Sequence, residues 1–499
     1  MSQLKTVVVG AGPVGALAAL YAAQRGQTVE VYELRADLRD ESTIPLNFTK
    51  SINLTLSERG TNAIHHSGKR GGGILKTIVK ETVPMDGRMI HGKDLTGELT
   101  NKAQAYDVNG RALLAADRGE LNKILLDGLE QFPNVKLFFN HKLTGADFKN
   151  KKAWFEIQDT NQPDAKIRQK QSPQQARNQE VEIHFDFMIG ADGAHSATRY
   201  HLMKYVRMDY QQEYIDTLWC EFTIPPNTKG PSKWAISPNH LHIWPAKDFM
   251  FIAIPSSDGS FTCTLFMPSA LFESLDSKPN EVPKFFDRYF PGVTNVIQPD
   301  ALINSYLTNP HLPLISIRCR PYHFKDCAVI IGDAAHAMVP FYGQGMNAGL
   351  EDVNVLYRIL DAHPSTAVAG ATLDSTRAAA LDEYSTVRAP DAYSINELAL
   401  QNYIEMRASV TSPVYKLRKW LEETLSVYAP ELGWQTQYSR VSFGNEPYAQ
   451  VIKKSKRQSD VLLMSLMGII TGPVIIGALA ALYRLRRGST GFWFRLFEQ

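Results

Sequence analysis

The sequence predicts an α/β fold in which a parallel βαβ unit is followed by an antiparallel sheet and then by helices. Three observations support this prediction. A β-branched run, a glycine-rich turn, an Ala-rich helical segment and a second alternating run open the chain between residues 5 and 33. Strand-like alternation without helical periodicity extends from Trp219 to Phe266. The stretch from Asn347 to Val427 is mainly helical in pattern.

Size and composition limit the possible functions. The 499 residues are enough for one large α/β body or for about two to three ordinary domains. The formal net charge is only +2, and no basic stripe interleaved with aromatic residues is present, which disfavours a nucleic-acid-binding protein. The four cysteines lack the spacing of a zinc site and are too few for a disulfide framework. Buried, reduced thiols and no metal site are therefore expected.

The first glycine motif is the turn Gly10–Gly15, with the sequence GAGPVG, between a predicted strand and a predicted helix. In this pattern Gly10 permits a tight turn, Gly12 lets the backbone approach a pyrophosphate, and Gly15 lets the helix pack on the strand. The helix N-terminus then faces the phosphate charge. Glu33 ends the second strand 18 residues after Gly15, where its carboxylate would accept ribose hydroxyls. The unit predicts a Rossmann-like dinucleotide-binding domain but does not distinguish NAD from FAD as the bound dinucleotide.

Two later motifs also place a turn directly after a predicted strand. The segment Phe187–Arg199 (FMIGADGAHSATR) contains Asp192, and Ile330–Pro340 (IIGDAAHAMVP) contains Asp333, which can accept a hydrogen bond from a ribityl or ribose hydroxyl. The loop Gly343–Gly349 (GQGMNAG) then opens a helix whose free N–H groups and positive dipole end would stabilise negative charge. The histidine in each motif is expected to be structural rather than an acid–base residue.

Together the three motifs resemble those of the single-component flavoprotein hydroxylases, the class typified by p-hydroxybenzoate hydroxylase, up to about residue 450. The resemblance implies FAD as the cofactor and a Rossmann-like FAD-binding domain interleaved with an antiparallel-sheet substrate domain. It also implies NADPH as a transient co-substrate, which agrees with the lack of a second glycine-rich nucleotide motif. The positions implied for FAD are Gly10, Gly12, Val14, Gly15, Glu33, Arg35, Thr55, Arg118, Leu143, Asp192, Asp333, Gly345, Met346 and Asn347.

The motifs and the element pattern also predict how the chain divides. The predicted segments are an FAD-binding body (1–200 and 300–365, with inserted substrate-domain segments near 75–110), an antiparallel-sheet substrate domain (201–300), a C-terminal helical region (366–450) and a membrane-anchoring helix (461–483). Within the first segment, Gly71–Gly73 is expected to be a loop. The polar, Gln-rich stretch 158–179 is expected to be an exposed insertion.

Four local strings narrow the resemblance to the kynurenine 3-monooxygenase family. They are KSINLTLSERG (50–60), GRMIH (87–91), VPFYGQGMN (339–347) and NYIEMR (402–407). The resemblance implies hydroxylation of L-kynurenine to 3-hydroxykynurenine with NADPH and O₂, the C4a-hydroperoxide of reduced FAD being the oxygen donor. The protein then has to orient the aromatic ring and exclude water, and no catalytic side chain is required. The residues implied to contact the substrate are Arg88, Tyr106, Asn402 and Tyr438.

Two other functions remain open from the sequence. A hydroxylase of the same class that acts on a phenolic or quinone precursor would share all three flavin motifs. A non-catalytic binding protein that kept the glycine-rich fold is a more remote alternative, and Asp192, Asp333 and the Gly343–Gly349 loop argue against it.

A long apolar run lies near the C-terminus. Val461–Tyr483 carries no charged residue over 23 positions and would span about 35 Å as a helix, against roughly 30 Å of membrane hydrocarbon. Basic residues flank both ends, so charge does not decide its orientation. Because Pro473 lies within the run, two arrangements stay open, a kinked single span and a re-entrant hairpin. The family resemblance implies the mitochondrial outer membrane, with the catalytic body facing the cytosol.

Overall fold

The computed structural model describes residues 4–40, 53–158, 179–364, 372–408, 410, 412–465 and 479. Its strands are β1 (Lys5–Val9), β2 (Thr28–Tyr32), β3 (Asn53–Leu56), β4 (Val83–Met85), β5 (Gly87–Lys93), β6 (Leu99–Ala105), β7 (Leu113–Asp117), β8 (Val135–Phe138), β9 (His141–Asp147), β10 (Lys152–Ile157), β11 (Glu180–His184), β12 (Phe187–Gly190), β13 (Asp209–Ile224), β14 (His240–Pro245), β15 (Met250–Pro255), β16 (Phe261–Met267), β17 (Leu312–Arg320), β18 (His323–Phe324) and β19 (Ala328–Ile330).

The helices connect and cover these strands. They are α1 (Pro13–Gln24), α2 (Glu58–His65), α3 (Gly71–Lys80), α4 (Arg118–Glu130), α5 (Ala197–Leu202), α6 (Ser269–Asp276), α7 (Val282–Tyr289), α8 (Pro299–Thr308), α9 (Asp333–His336), α10 (Gly345–Ala362), α11 (Leu373–Arg407), α12 (Pro413–Tyr428) and α13 (Gln437–Ser442). Residues 448–465 are also helical. A 3₁₀ turn at Pro340–Tyr342 lies directly before the loop that opens α10.

A six-stranded sheet with the order β18-β19-β12-β1-β2-β8 forms the first layer. The strands from β19 to β8 pair in parallel, and only β18 is antiparallel. The strand β1 and the helix α1 are almost wholly buried, as strands and helices of a covered parallel sheet should be. Because the carboxyl ends of parallel strands meet at one edge, the turns after β1, β12 and β19 come together there.

A seven-stranded sheet with the order β17-β13-β16-β15-β14-β5-β6 forms the second layer. The pairings of β13, β14, β15 and β16 are antiparallel among themselves, which confirms the alternation between Trp219 and Phe266. Strands β5 and β6 join this sheet from the predicted inserted segment near 75–110. Strand β17 lies within the segment 300–365 that was predicted for the FAD-binding body, yet it pairs with β13. By its hydrogen bonds β17 therefore belongs to the antiparallel sheet.

The helix α11 links the two sheets. Its first half places Leu381 and Tyr384 in the core beside the six-stranded sheet. Its second half places Ile395 and Tyr403 in the core beside the seven-stranded sheet. The helix is 35 residues long, so one rigid element can position side chains against both layers.

Two further expectations can be compared with the structure. The prediction of a loop at Gly71–Gly73 is wrong, because these glycines begin α3. A methyl group on Gly71 would lie 2.5 Å from the carbonyl oxygens of Ile64 and His65, so the close approach of α2 explains the glycine at this position. The four cysteines are buried and free, as expected.

Apart from its two end residues, the predicted insertion 158–179 lies outside the described residues, as do most positions of 461–483. Among the helices of the described residues, none combines the length and the hydrophobicity of a membrane span.

Candidate active site

The glycine-rich turn after β1 is tightly packed on one side and open on the other. Gly10 has a φ of 99°, and a methyl group there would lie 2.5 Å from the carbonyl oxygen of Ala191. A methyl group on Gly15 would overlap the carbonyl oxygen of Gly10. At Gly12 the position of a methyl group has nothing within 4 Å. The turn therefore has free space beside Gly12, the residue predicted to let a pyrophosphate approach.

The carboxylate of Glu33 shapes this turn. One of its oxygens accepts the backbone N–H of Ala11 at 2.8 Å, and the other accepts the N–H of Arg35 at 3.0 Å. Each carboxylate oxygen keeps a second lone pair, so a ribose hydroxyl can still donate to it. From the other side, Asn122 donates its side-chain amide to the carbonyl of Ala11 at 3.0 Å. The side chain of Arg118, at the start of α4, is exposed.

Asp192 holds the turn after β12. Its carboxylate accepts the hydroxyl of Ser196 at 2.6 Å and the backbone N–H and hydroxyl of Thr198 at 2.9 and 3.0 Å. Burial raises the pKa of this carboxyl group, and the hydrogen bonds oppose that effect. These contacts order the start of α5 and keep Ala191 beneath Gly10. A direct contact between Asp192 and a cofactor stays a prediction, as does one for Leu143, which is buried in the core.

Val14, in the first glycine turn, lies against the turn after β19 and the start of α10. A methyl group on Gly349 would lie 2.7 Å from Cγ2 of Val14, and one on Gly332 would lie 3.3 Å from its Cγ1. The turn after β1, the turn after β19 and the start of α10 therefore share one location. Asp333 directly follows Gly332 and is exposed there.

Asn347 fixes the first turn of α10. Its side-chain oxygen accepts the N–H of Ser57 at 2.8 Å, and its amide donates to the carbonyls of Thr55 at 2.7 Å and Gly343 at 2.9 Å. The hydroxyl of Thr55 also donates to the carbonyl of Gly343, at 3.1 Å. Asn347 is wholly buried. These bonds tie the loop to β3, and the first N–H groups of α10, beginning at Gly345 and Met346, remain free of intrahelical partners.

A buried ionic network lies under this loop. The carboxylate of Asp352 accepts the N–H of Gly332 at 2.7 Å, lies 2.6 Å from Nε2 of His336, and accepts Nε of Arg388 at 2.6 Å. Burial would raise the pKa of Asp352, but the contacts with His336 and Arg388 lower it below its usual range. Arg388 also donates to the carbonyl of Ala348 at 2.9 Å. His336 is thus a buried member of this network, and its lack of an acid–base role stays a prediction.

The four residues predicted to contact the substrate lie together. The guanidinium carbon of Arg88 on β5 is 4.5 Å from the ring centre of Tyr438 on α13 and 6.0 Å from that of Tyr106. The two rings stack with centres 5.2 Å apart. The side-chain oxygen of Asn402 on α11 is 3.4 Å from Arg88. Arg88, Tyr106 and Asn402 are buried, and Tyr438 is half-buried.

This aromatic and cationic cluster adjoins the loop that opens α10. Asn402 donates its amide to the carbonyl of Phe341 at 2.7 Å. The ring of Tyr342 stacks on that of Tyr438, with centres 5.4 Å apart. Because Tyr342 directly precedes Gly343, the substrate cluster and the predicted flavin loop are neighbours.

Sequence reasoning missed two members of the cluster. Glu405 pairs with Arg88 at 2.9 Å, and the hydroxyl of Tyr415 on α12 donates to the same carboxylate oxygen at 2.9 Å. Burial works against the charge of Arg88, but Tyr438 and Glu405 raise its pKa on balance. Glu405 could have been found, because it lies one helical turn after Asn402. Tyr415 has no local signal, since it comes from a different helix.

Comparison with known proteins decides the family. The family model of the FAD binding domain matches residues 3–396. Kynurenine 3-monooxygenase of Neurospora crassa is 62% identical over 98% of this chain and 94% of its own length. The enzyme of the same name from Chaetomium globosum is 61% identical over 94% of this chain and 97% of its length. The chain belongs to the kynurenine 3-monooxygenase family.

Solved structures of more distant proteins share the fold. 2-Methyl-3-hydroxypyridine-5-carboxylic acid oxygenase has a TM-score of 0.58 at 16% identity, over 83% of this chain and 95% of that one. p-Nitrophenol 4-monooxygenase of Pseudomonas putida has a TM-score of 0.58 at 18% identity, over 87% of this chain and 96% of that one. The architecture of two interleaved sheets is therefore that of FAD-dependent monooxygenases.

The residues around the glycine turn fit FAD, the cofactor of this family. Gly12 leaves free space at the N-terminus of α1, where a pyrophosphate would be stabilised. The exposed carboxylate of Asp333 accepts no hydrogen bond from the described residues, so it is free for a hydroxyl group of the cofactor. The first turn of α10 presents N–H groups without intrahelical partners, next to the loop that adjoins the substrate cluster.

The glycine turn yields a prediction that separates folding from cofactor binding. Gly12→Ala is expected to fold normally, because its methyl group meets nothing within 4 Å and its φ is −66°. The methyl would occupy the space needed by a pyrophosphate, so FAD affinity should fall on the order of tenfold or more. Fluorescence titration of the flavin-free protein with FAD measures this. The matched control is Gly73→Ala, which also has free space but lies on α3. Equal FAD affinities for the two variants would contradict the placement.

Proposed function

We propose that the protein hydroxylates L-kynurenine to 3-hydroxykynurenine, with NADPH and O₂ as co-substrates. One observation supports this most strongly: Arg88 lies buried among Tyr106, Tyr438 and Asn402, beside the loop that leads into α10. A guanidinium matches the planar carboxylate of an amino acid through two parallel N–H groups. Aromatic walls next to it suit the anilino ring of the same molecule.

The chain's own residues bind the substrate, orient its ring and exclude water. FAD, when bound, supplies the hydride acceptor for NADPH and the oxygen transfer to the ring. The residues that would hold FAD are those of the glycine turn Gly10–Gly15, together with Glu33, Asp333 and the start of α10. Arg88 binds the substrate carboxylate, the stacked tyrosines confine the ring, and Asn402 ties the cluster to the carbonyl of Phe341. The burial of this cluster keeps water from the reacting atoms.

The test of this function is a substrate comparison with the purified full-length protein. L-Kynurenine is expected to stimulate NADPH oxidation and to give 3-hydroxykynurenine in stoichiometric amount. Simple phenols and quinone precursors should give little stimulation, because they lack the carboxylate that Arg88 would bind. p-Hydroxybenzoate should also give little, because its carboxylate is attached directly to the ring and not to an amino acid side chain. Hydroxylated product from a phenol, without product from kynurenine, would contradict the proposal.

We also propose that Val461–Tyr483 anchors the protein in a membrane. The support is the absence of charge in this run and the exposure of its first apolar side chains, Val461, Leu463 and Met464, on the helix 448–465. The location proposed from the family resemblance is the mitochondrial outer membrane with the catalytic body in the cytosol. Protease added to intact mitochondria should then remove the catalytic body, and full protection of the body would contradict this orientation.

Truncation provides the prediction for the anchor. A chain that ends at Asp460 is expected to leave the membrane fraction and to keep its flavin, since every strand of the two sheets comes before residue 331. Membrane flotation and flavin absorbance measure the two effects. Truncation after Tyr483 is the matched control, because it removes the C-terminal tail but keeps the uncharged run. If the chain ending at Asp460 still floats with membranes, the anchor lies elsewhere.

A further inference from the structure

The helix α12 presents an apolar stripe to solvent. The exposed fractions are 58% for Leu417, 59% for Trp420, 52% for Val427 and 84% for Tyr428. Their spacing places them on one face of the helix. An exposed stripe of large apolar side chains on an otherwise polar surface usually marks an interaction site.

The opposite face of α12 is polar and points inward. Tyr415 donates to Glu405, and Lys419 donates from Nζ to the carbonyl of Ala105 at 3.0 Å. Glu423 pairs with Lys419 at 3.6 Å, and burial lowers the pKa of Lys419. A surface helix normally turns its apolar face to the core. Here the polar contacts with the substrate cluster fix the reverse orientation, so the apolar stripe has no place in the protein core.

The surroundings of the stripe indicate what covers it. Arg418 of α12 donates to the hydroxyl of Ser459 at 2.7 Å, which ties α12 to the helix 448–465. The uncharged run begins on that helix two residues later, at Val461. Both helices carry exposed basic side chains, namely Lys416 on α12 and Lys453, Lys456 and Arg457 on the helix 448–465. Such residues are attracted to anionic lipid headgroups.

We propose that the stripe Leu417, Trp420, Val427 and Tyr428 lies in the headgroup layer of the membrane that the C-terminal run enters. This inference rests on the membrane anchoring proposed above. Trp and Tyr are the side chains that favour the membrane–water interface, and an apolar helix face can lie in its plane. Because the inner face of α12 contacts Glu405, the partner of Arg88, the bilayer surface would lie one helix away from the substrate cluster.

The experiment uses spin labels on the full-length, flavin-loaded protein in vesicles of phosphatidylcholine and phosphatidylglycerol. Leu417→Cys and Tyr428→Cys carry the label on the stripe, and the four natural cysteines are buried. Ile470→Cys labels the uncharged run. Tyr200→Cys, whose parent side chain is 62% exposed on α5, is the control for a water-facing site. Labels at 417 and 428 are expected to collide with O₂ more than with a water-soluble nickel complex, whereas the label at 200 should favour nickel.

The outcomes separate this inference from the anchor itself. Nickel-accessible labels at 417 and 428, with a lipid-exposed label at 470, would overturn the interfacial stripe and leave the anchor standing. A nickel-accessible label at 470 would instead overturn the anchor and the inference together. Labels at 417 and 428 that are shielded from both reagents would show a protein cover, either the C-terminal residues of this chain or a second copy, and would also overturn the proposal. Flavin absorbance confirms that each variant is folded.

Discussion

Arg88→Met is expected to raise the half-saturating concentration of L-kynurenine roughly thirtyfold or more, because about 2–5 kcal/mol of binding is lost when a desolvated carboxylate loses its partner. Arg88 is buried and framed by Tyr438 and Asn402, so solvent cannot replace its hydrogen bonds. The measurement is kynurenine-stimulated NADPH oxidation against substrate concentration. Lys at this position should recover part of the loss, since it keeps the charge without the planar fork.

Two further variants make the result specific. Arg88 also neutralises Glu405 at 2.9 Å, so Arg88→Met/Glu405→Gln shows whether an unpaired glutamate causes the loss; restored affinity in the double variant would contradict the substrate role. Arg111→Met is the matched control, because Arg111 pairs with Asp107 at 2.9 Å and donates to Ser439 of α13 without touching Arg88. Arg111→Met should leave the half-saturation point unchanged, and all variants should keep their flavin.

Arg388→Met is expected to lower the free energy of unfolding by about 3–5 kcal/mol, because removal of one partner leaves buried charges uncompensated. Arg388 bonds to Asp352 at 2.6 Å, to Asp391 at 2.7 Å and to Glu351 at 2.9 Å, all on helices that meet under the flavin loop. The same change frees the carbonyl of Ala348 in α10. FAD should therefore bind more weakly, and urea unfolding together with FAD titration measures both effects.

The control for Arg388 lies on the same helix. Arg377 is equally buried and pairs with Asp326 at 3.1 Å and Asp374 at 3.0 Å, but it contacts neither Gly332 nor α10. Arg377→Met should also destabilise the fold while FAD affinity stays near that of the parent. If the two variants bind FAD equally well, the network under the loop has no part in positioning the cofactor.

Much of the nucleotide-binding edge could be predicted from the sequence, because it depends on local requirements. Gly10 and Gly15 are needed where backbone meets backbone, and both contacts lie within a few residues of a strand end. The helix that begins at Gly345 was predicted from its glycines and its periodicity. The substrate residues came from the family resemblance rather than from pattern, and only Arg88 and Asn402 lie within the family strings. Glu405 was within reach because it follows Asn402 by one helical turn.

Contacts between distant segments were decided only by the tertiary structure. The partners of Arg388 come from α10 as well as from its own helix, and Glu33 bonds to the turn at Ala11 rather than standing free. Strand β17 pairs with β13, although its sequence is compatible with either sheet. In each case the partners are far apart in the chain, so no local pattern specifies them.

The helix α12 shows most clearly where the sequence stops being informative. Its periodicity determines that Leu417, Trp420, Val427 and Tyr428 share one face, because 3.6 residues make a turn. The sequence does not determine which face meets the core. The tertiary structure decided this through Tyr415 and Lys419, whose hydrogen bonds to Glu405 and Ala105 turn the polar face inward. The physical reason is that these polar groups bond to segments distant in the chain, and those bonds leave the apolar face exposed.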